Sequence, residues 1–317
     1  MGIYIDGYNV AITREFEKKL YDGSIKFQGG AKIAKYLYTY QIDATRMLIS
    51  GSYKDFGLWI YTEGEEYATQ IYSAGAFKDF ARVENLILIT NGSANFDSSS
   101  LPGYVITLDL DTFEITKLLE FSSDREKTIY AYGTKALIFG DDQAYIYDFI
   151  ERKLTSTNSY ISNIRNSAVI DDVFISGGSS NGSYYVDLKT FEITYIKTAI
   201  AQVSTVGKTS HLHKLNDDEY LFYGSKDLAL FNRAEKTITI LATETKSGYL
   251  DKYIEVGDKI LFYGENYGSG IVVFNKLTKT AIAIASPVGS SYLYNAFTDG
   301  LNCLFTSSGG LIYYAQT

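Results

Sequence analysis

Cysteine, histidine and proline are scarce in this sequence of 317 residues, which contains one, two and two of them. The single cysteine, Cys303, excludes an internal disulfide framework, and its place in the apolar run CLF predicts a buried, unreactive thiol. No apolar run approaches the roughly 18 residues that a membrane helix needs, so we expect no membrane insertion. The N-terminal residues lack the basic start and the apolar stretch of a secretory signal, which predicts a cytoplasmic location, or the virion if a phage encodes the chain.

Positive charge is also in short supply, because 29 lysines and arginines face 37 aspartates and glutamates and give a formal net charge of −8. The basic residues are dispersed along the chain, which argues against binding of nucleic acid. No nucleophile elbow, phosphate-binding loop or dinucleotide-binding glycine motif occurs. We therefore expect a protein without catalytic activity and without a cofactor.

Aromatic residues, by contrast, make up 15% of the chain, and this composition fits the pleated surface of β-strands. A short apolar run that ends in glycine recurs about every 43 residues, at Gly51, Gly92, Gly140, Gly177, Gly224 and Gly264, and a seventh copy has Ser307 in that place. Glycine after a strand predicts a turn with positive φ, most clearly at Gly177 and Gly224.

A second apolar strand follows each glycine and ends in a small polar residue, at Thr62, Asp109, Asp148, Asp187, Asn232 and Asn275. We expect the Asp or Asn side chain to accept hydrogen bonds from the backbone of the next turn. The segments DLDTFEIT and DLKTFEIT, which begin at Asp109 and Asp187, place a third strand after that turn. Short acidic clusters fall in the same predicted turns, which favours a structural role for Asp109 with Asp111, Asp141 with Asp142, and residues 217–219.

A unit of this length cannot bury both faces of its strands by itself, so we expect the units to stack radially around one core. The order of apolar run, glycine, aromatic-Asp and Thr resembles a kelch repeat, and residues 173–193, VFISGGSSNGSYYVDLKTFEI, match it best. The double glycine is kept only at Gly177 and Gly178, and the tryptophan of the family is replaced by Ile or Leu. The resemblance implies an all-β fold of the β-propeller type.

Seven copies of the central strand pair predict seven four-stranded blades, and eight if IYIDG at residues 3–7 begins another. No linker divides the chain, so we expect one domain over residues 1–317. The last copy ends with the chain and lacks an outer strand. Residues 1–28, through GSIKFQ at 23–28 or YNVAIT at 8–13, would supply that strand and close the ring between the N- and C-termini.

The two histidines form one motif, SHLHK, in which His211 and His213 occupy alternate positions of a strand and face the same side. Both imidazoles could therefore reach one metal ion, although such a site would also need a carboxylate from another blade. The alternative interpretation, which we favour, is that both histidines are structural or incidental.

One hairpin loop stands out, because the chain from Gly92 to Asp109 is longer than its counterparts in the other copies. Recognition residues concentrate in loops on rigid scaffolds, so we take Asn95, Phe96, Asp97 and Tyr104 as candidate binding residues.

The sequence as a whole predicts a non-catalytic binding or assembly module that recognises a protein or a surface glycan through one loop face. One concrete form would be a structural component of a larger assembly such as a phage virion or tail. The alternative is a metal-dependent hydrolytic, lactonase-like enzyme with His211 and His213 in the channel of the propeller.

Overall fold

The computed structural model of the chain describes residues 19, 24–30, 37–51, 57–73, 75, 77–91, 103–121, 128–139, 143–160, 166–177, 182–200, 210–224, 227–243, 250–264, 270–284, 293–307 and 310–315. They contain twenty-eight β-strands and one short 3-10 segment, Gln28–Gly30. In these ranges no helix has the length and apolar character needed to cross a membrane.

The chain divides into two compact units, residues 1–160 and 161–317. The first unit contains sheet 1, with β1 (Lys26–Phe27), β2 (Leu37–Gln41), β3 (Arg46–Gly51), β4 (Leu58–Thr62) and β5 (Tyr67–Tyr72); sheet 2, with β6 (Phe77–Val83), β7 (Leu86–Asn91), β8 (Gly103–Asp109) and β9 (Ile115–Phe121); and sheet 3, with β10 (Thr128–Tyr132), β11 (Lys135–Phe139), β12 (Gln143–Asp148) and β13 (Lys153–Tyr160).

The second unit contains sheet 4, with β14 (Asn166–Ile170), β15 (Val173–Gly177), β16 (Ser183–Asp187) and β17 (Glu192–Ile196); sheet 5, with β18 (His211–Lys214), β19 (Glu219–Tyr223), β20 (Asp227–Asn232) and β21 (Thr237–Thr243); sheet 6, with β22 (Lys252–Val256), β23 (Lys259–Tyr263), β24 (Ile271–Asn275) and β25 (Thr280–Ile284); and sheet 7, with β26 (Leu293–Thr298), β27 (Asn302–Ser307) and β28 (Gly310–Ala315).

Sheets 2 to 6 are four-stranded antiparallel meanders whose strands follow one another in chain order. In the first unit the first strands of sheets 2 and 3, β6 and β10, are neighbours, and in the second unit β14 lies beside β18 and β22 beside β26. Repeated meanders that meet through their first strands form a β-propeller-like fold. The predicted all-β class and the four-stranded repeat are therefore confirmed.

Within each of the two units, the core lies between successive sheets and is built from residues that recur in the repeat. The residue just before the end of the third strand in each of sheets 1 to 6 (β4, β8, β12, β16, β20 and β24) is at most 6% exposed; it is aromatic at Tyr61, Tyr147, Phe231 and Phe274 and aliphatic at Leu108 and Val186. Phe231 packs with Tyr185 of the preceding sheet at 4.8 Å between ring centroids. Full burial of such a side chain contributes about 1.5–3 kcal/mol, which makes these rings principal contributors to the contact between sheets.

The turn that follows five of these third strands is held by the Asp or Asn side chain that ends the strand, as predicted. The Oδ1 atom of Asp109 accepts the N–H groups of Asp111 at 3.0 Å and Thr112 at 3.3 Å. The same oxygen accepts bonds from turn amides at Asp148, Asp187, Asn232 and Asn275. The structural role predicted for Asp109 is therefore confirmed, whereas Asp141 and Asp142 lie outside the described residues.

Four positions after this Asp or Asn, the backbone enters the left-handed region without glycine, with φ between 52° and 58° at Phe113, Arg152, Phe191, Lys236 and Lys279. The N–H of Phe113 donates to the carbonyl of Asp109 at 2.8 Å, and Lys279 donates in the same way to Asn275 at 2.9 Å. These bonds close the turn and offset the cost of the conformation.

The glycines at the other end of the repeat are less uniform. Gly224 has a φ of 113°, as predicted. The same prediction was wrong at Gly177, which ends β15 and pairs with Asn166 as an extended strand residue. Gly92 and Gly140 lie outside the described residues.

In its described residues the N-terminal segment GSIKFQ joins sheet 1 and not sheet 7, so the prediction that it supplies the outer strand of the last copy was wrong. Its strand β1 runs parallel to β5, with Phe27 opposite Ala68, and the Phe27 ring meets Trp59 edge-on at 5.2 Å. The other segments considered from the sequence, residues 3–7 and 8–13, lie outside the described residues. Closure of the ring and a single domain therefore stay predictions.

Candidate functional site

Of the four residues predicted to bind a partner, the structure describes one. Asn95, Phe96 and Asp97 lie outside the described residues. Tyr104 is the second residue of β8 and pairs with Glu120 on β9. It packs against the apolar cluster between sheets 1 and 2, so part of its ring is structural.

A lysine covers the ring of Tyr104. Its ammonium, on Lys117, lies 5.6 Å from the ring centroid and forms an ion pair with Glu120 at 2.8 Å. Burial, and after it the nearby Glu120 carboxylate, raises the pKa of Tyr104. The phenol therefore stays neutral at physiological pH and can offer a hydrogen bond and a partly exposed ring to a partner.

The two histidines face the same way, as their spacing predicts. Leu212, between them, packs on the cluster that sheet 5 shares with sheet 4. On the opposite face, towards sheet 6, the His213 ring meets Tyr253 edge-on at 4.7 Å. His211 stacks on Tyr223 with 5.2 Å between ring centroids.

Three further aromatic contacts join these rings into one cluster, which we term the histidine–tyrosine cluster: His211, His213, Tyr223, Tyr253 and Phe262. Tyr223 lies 4.9 Å from Phe262 and 5.9 Å from Tyr253, and Tyr253 lies 6.1 Å from Phe262. Tyr253 is 42% exposed, whereas Tyr223 and Phe262 are buried. The cluster thus forms the inner end of the contact between sheets 5 and 6, with one tyrosine open to solvent.

Burial sets the charge state of this cluster. It lowers the pKa of His211, an effect that the Asp251 carboxylate partly opposes. It also lowers the pKa of His213, with Glu255 opposing and Lys276 adding to the shift. Both imidazoles are therefore mainly in the neutral form at pH 7.

A carboxylate from the neighbouring sheet lies beside one of the two histidines, His213. Oε1 of Glu255 lies 3.6 Å from Nε2 of His213, but it also accepts the ammonium of Lys276 at 3.1 Å through its other oxygen. No group of three or more His, Cys, Asp or Glu side chains in the described part of the chain is placed to hold a metal ion. The metal site thus stays a prediction.

A cluster of charged side chains that the sequence did not predict joins sheets 4 and 5, and we term it the ionic node. The guanidinium of Arg233 forms two hydrogen bonds with Asp172, at 3.1 and 2.6 Å, and a third with Asp187 at 2.8 Å. Lys189 contributes a second cation to Asp172 at 2.9 Å, and the hydroxyl of Tyr185 donates to Asp187 at 3.2 Å.

Charge within the node is strongly stabilised. Burial alone would raise the pKa of Asp172, but hydrogen bonds from Arg233 and Lys189 outweigh burial and hold that pKa at about 2. Burial, followed by the Asp187 carboxylate, raises the pKa of Tyr185 to about 12. The sequence contains one sign of this cluster. Arg233 follows the Asn that ends its strand, at a position where sheets 2 to 4 have Leu or Phe.

The predicted burial of the single cysteine, Cys303, is confirmed. Cys303 is 1% exposed and packs in the cluster between sheets 6 and 7. Burial raises the pKa of its thiol to about 11, which keeps it protonated.

Comparison with known proteins adds information on the fold. No family model and no curated protein matches the chain, so the kelch resemblance is not confirmed. Among solved structures, the chain is similar to the computationally designed Ika8 protein, with 12% identity, a TM-score of 0.50, and coverage of 91% of this chain and 85% of that chain. A second similar structure is YCF48 bound to D1 peptide, with 12% identity, a TM-score of 0.43, and coverage of 92% and 94%. The first likeness shows a shared fold, and we base no inference on the second because its TM-score is below 0.5.

Proposed function

We propose that this chain is a non-catalytic binding or assembly module that recognises a protein or a surface glycan through the loops at one end of its strands. The observation that carries the proposal is that the turns at the opposite end of the strands are held in place by backbone hydrogen bonds. There, the residue after the strand-ending position donates its N–H to the turn between the first and second strands of the same sheet, at 2.7–3.0 Å, in Glu63–Thr45, Leu110–Asn85, Phe149–Thr134, Leu188–Asp172, Arg233–Asp218 and Lys276–Asp258.

In sheets 1 to 6 this bond ties the turn between the first and second strands to the turn that follows the third strand, which gives a rigid scaffold. Loops that bind partners are typically carried on such scaffolds. The connections between the second and third strands lie at the other end of the strands. Residues 92–102, between β7 and β8, form the longest of these connections. Tyr104 lies at the base of this loop and offers a partly exposed, neutral phenol.

Finer features belong to the same proposal. We propose that the seven sheets are seven blades of a propeller whose ring closes between the N- and C-terminal sheets. Membership of a larger assembly such as a phage virion or tail, and a cytoplasmic or virion location, are predictions from the sequence.

The rival function is a metal-dependent hydrolase, and one observation favours it: His211 and His213 face the same side, with the Glu255 carboxylate within 3.6 Å of His213. Metal content distinguishes the two functions. In the binding module, mass spectrometry of the purified protein detects no stoichiometric zinc or manganese, and His213→Gln leaves the metal content unchanged. Stoichiometric metal that is lost in His213→Gln would favour the hydrolase.

The recognition loop can be tested directly on a glycan array and, for proteins, by cross-linking followed by mass spectrometry. We expect a variant with residues 93–102 replaced by an Asn-Gly turn to fold normally but to bind about tenfold more weakly, or about 1.4 kcal/mol. The matched control shortens residues 265–269, which connect the equivalent strands of sheet 6. Equal binding by the wild type and both variants would exclude recognition through this loop.

A further inference from the structure

A row of hydroxyl-bearing side chains crosses sheet 4, and we term it the hydroxyl row. Its four members lie opposite one another in successive strands: Ser167 on β14, Ser176 on β15, Tyr184 on β16 and Tyr195 on β17. Directly opposed residues of an antiparallel pair share a face. Because Ile175, the neighbour of Ser176, packs towards sheet 5, the row lies on the face that turns away from sheet 5. The row carries no charged side chain.

The second member of the row, Ser176, occupies a core position. In the other six sheets the equivalent residue of the second strand is apolar and 0% exposed, at Ile49, Ile89, Ile138, Phe222, Phe262 and Phe305. Ser176 is also buried, at 1% exposed, but its Oγ atom has no hydrogen-bond partner. A buried hydroxyl without a partner lowers the stability of the fold. Sheet 4 therefore carries at this position a small polar group that its own core does not use.

The outer member of the row, Tyr195, is unusual for its position in the sheet. The equivalent residues of the outer strands in sheets 1, 2, 3, 5 and 6 are not aromatic, and none is buried: Gln70, Lys117, Ser156, Ile240 and Ala283. The packing of the repeat thus requires no aromatic ring there. The ring of Tyr195 is 52% exposed.

The exposed ring is held in place by its neighbours. It packs on the ring of Tyr184 with 5.4 Å between centroids. On another side it lies against the backbone of Gly182, where a Cβ atom would be only 2.7 Å from Cε2 of Tyr195. The φ of Gly182 is 133°, which favours glycine at this position. Tyr195 is therefore positioned in advance for contact with a ligand, which reduces the entropic cost of binding.

The chemistry of the row matches that of a neutral sugar. A tyrosine ring combines an apolar face, suited to the C–H groups of a sugar ring, with a polar hydroxyl. Serine and tyrosine hydroxyls donate and accept hydrogen bonds, as sugar hydroxyls do. Burial, and after it Tyr195, raises the pKa of Tyr184, so its phenol stays protonated at neutral pH. Ser176 and Tyr195 are two strand spacings apart, or about 10 Å, which is longer than a single sugar ring.

We propose that a neutral oligosaccharide of two or more units binds along the hydroxyl row, with one sugar ring stacked on Tyr195 and a hydroxyl of the next unit bonded to the Oγ atom of Ser176. Since Ser176 is buried in the free protein, the half-buried ring of Tyr184, which stands between them in the row, turns aside on binding. The row lies at the same end of the strands as the loop of residues 92–102. The inference rests on the proposed binding function and names its ligand class.

A glycan array that carries neutral and acidic oligosaccharides tests this site with the full chain. Calorimetric titration then measures the affinity for the array glycan that gives the strongest signal. We expect the wild type to bind neutral glycans of two or more units, and Tyr195→Ala to bind at least about tenfold more weakly. The matched control is Tyr67→Ala, which removes a tyrosine of similar exposure, 44%, from the outer strand of sheet 1 and should bind as the wild type does.

The variant Ser176→Ala separates the role of this hydroxyl in binding from its role in the fold. It removes a buried hydroxyl that has no partner in the free protein, so the midpoint of thermal unfolding should rise. The affinity for the glycan should nevertheless fall about three- to tenfold, because a hydrogen bond to the ligand is lost. A residue with a purely structural role would not show these opposite changes.

Four results would overturn the inference. Absence of binding to every glycan on the array would exclude a carbohydrate ligand, and cross-links to a protein that Tyr195→Ala abolishes would identify a protein in its place. Unchanged glycan affinity in Tyr195→Ala would place the ligand elsewhere. A lower midpoint of unfolding in Ser176→Ala would show that the hydroxyl serves the fold. Binding that is lost in the variant of residues 93–102 but kept in Tyr195→Ala would support the proposed function and refute this inference, so the two fail separately.

Discussion

Replacing Arg233 by leucine tests the ionic node between sheets 4 and 5. The substitution supplies the residue type found at the equivalent position of sheets 2 and 4 but removes three hydrogen bonds to Asp172 and Asp187. Asp172 has a side chain that is 6% exposed, so it would keep a buried charge with Lys189 as its described cation. We expect Arg233→Leu to lower the free energy of unfolding.

The magnitude follows by two routes. Removing one partner of a buried ion pair costs about 3–5 kcal/mol, and the remaining Lys189 together with the 20% exposure of Arg233 reduces this to about 2–3 kcal/mol. For comparison, a pKa of about 2 for Asp172 corresponds to a net stabilisation of its charge by roughly 2–3 kcal/mol at pH 7, to which both Arg233 and Lys189 contribute. Because this pKa is depressed in the folded state, the contribution is present above about pH 4 and is lost as the pH falls towards 2.

Urea unfolding at pH 7 measures this loss in Arg233→Leu, in Asp172→Asn and in the double variant. The double variant removes both charges, so it should lose about 1–2 kcal/mol less than the sum of the two single losses. Lys214→Ala is the control, since its ion pair with Asp171 also joins sheets 4 and 5 but is exposed and should contribute no more than about 1 kcal/mol. Additive losses within about 0.5 kcal/mol would refute the reasoning.

Three further predictions concern the turn, the histidine–tyrosine cluster and the candidate binding tyrosine. Lys236→Gly should be more stable than Lys236→Ala by about 1 kcal/mol in urea unfolding because φ is 55°, while the order should reverse at Thr239 inside β21. Folding lowers the pKa values of His211 and His213, so the free energy of unfolding should fall as the pH drops below about 6.5 and should level off below the pKa values of the folded state. NMR titration of the two imidazoles checks this prediction. Folded-state pKa values at or above about 6.5 would contradict it. Tyr104→Phe should preserve thermal stability, whereas Tyr104→Ala should lower the free energy of unfolding by about 1–3 kcal/mol; equal stability would mean that the ring does not pack.

Local chemistry explains what could be predicted from the sequence. Asp109 and Asp187 bond to amides two and three residues later, so the repeated motif alone was sufficient to locate these turns. The alternation of His211 and His213 likewise fixed their common face. Side chains that act within three residues leave a pattern in the sequence whatever the order of the sheets.

Contacts between sheets left no such pattern. Arg233 meets residues 61 and 46 positions away, and His213 meets Tyr253 and Glu255 of the next sheet. Choosing these partners requires knowledge of which strand faces which, and the spacing of the repeat does not supply it. The left-handed conformation of Phe113 was not predicted for another reason. We expected positive φ only at glycine, but hydrogen bonds in this turn offset the cost of placing a side chain there.

The absence of glycine from these turns has a consequence for how the repeats recognise one another. A side chain in the left-handed conformation leaves the turn in a fixed direction, and at Arg152, Lys236 and Lys279 it carries a cation to an acidic residue of the preceding sheet, Asp109, Glu192 and Glu219. Each exposed pair contributes little by itself. Together they pair sheets 3, 5 and 6 electrostatically with the sheet that precedes each of them. One of these repeats, if transplanted or duplicated, would keep its own turn but would form the ion pair only where the preceding sheet has an acidic residue in the corresponding place.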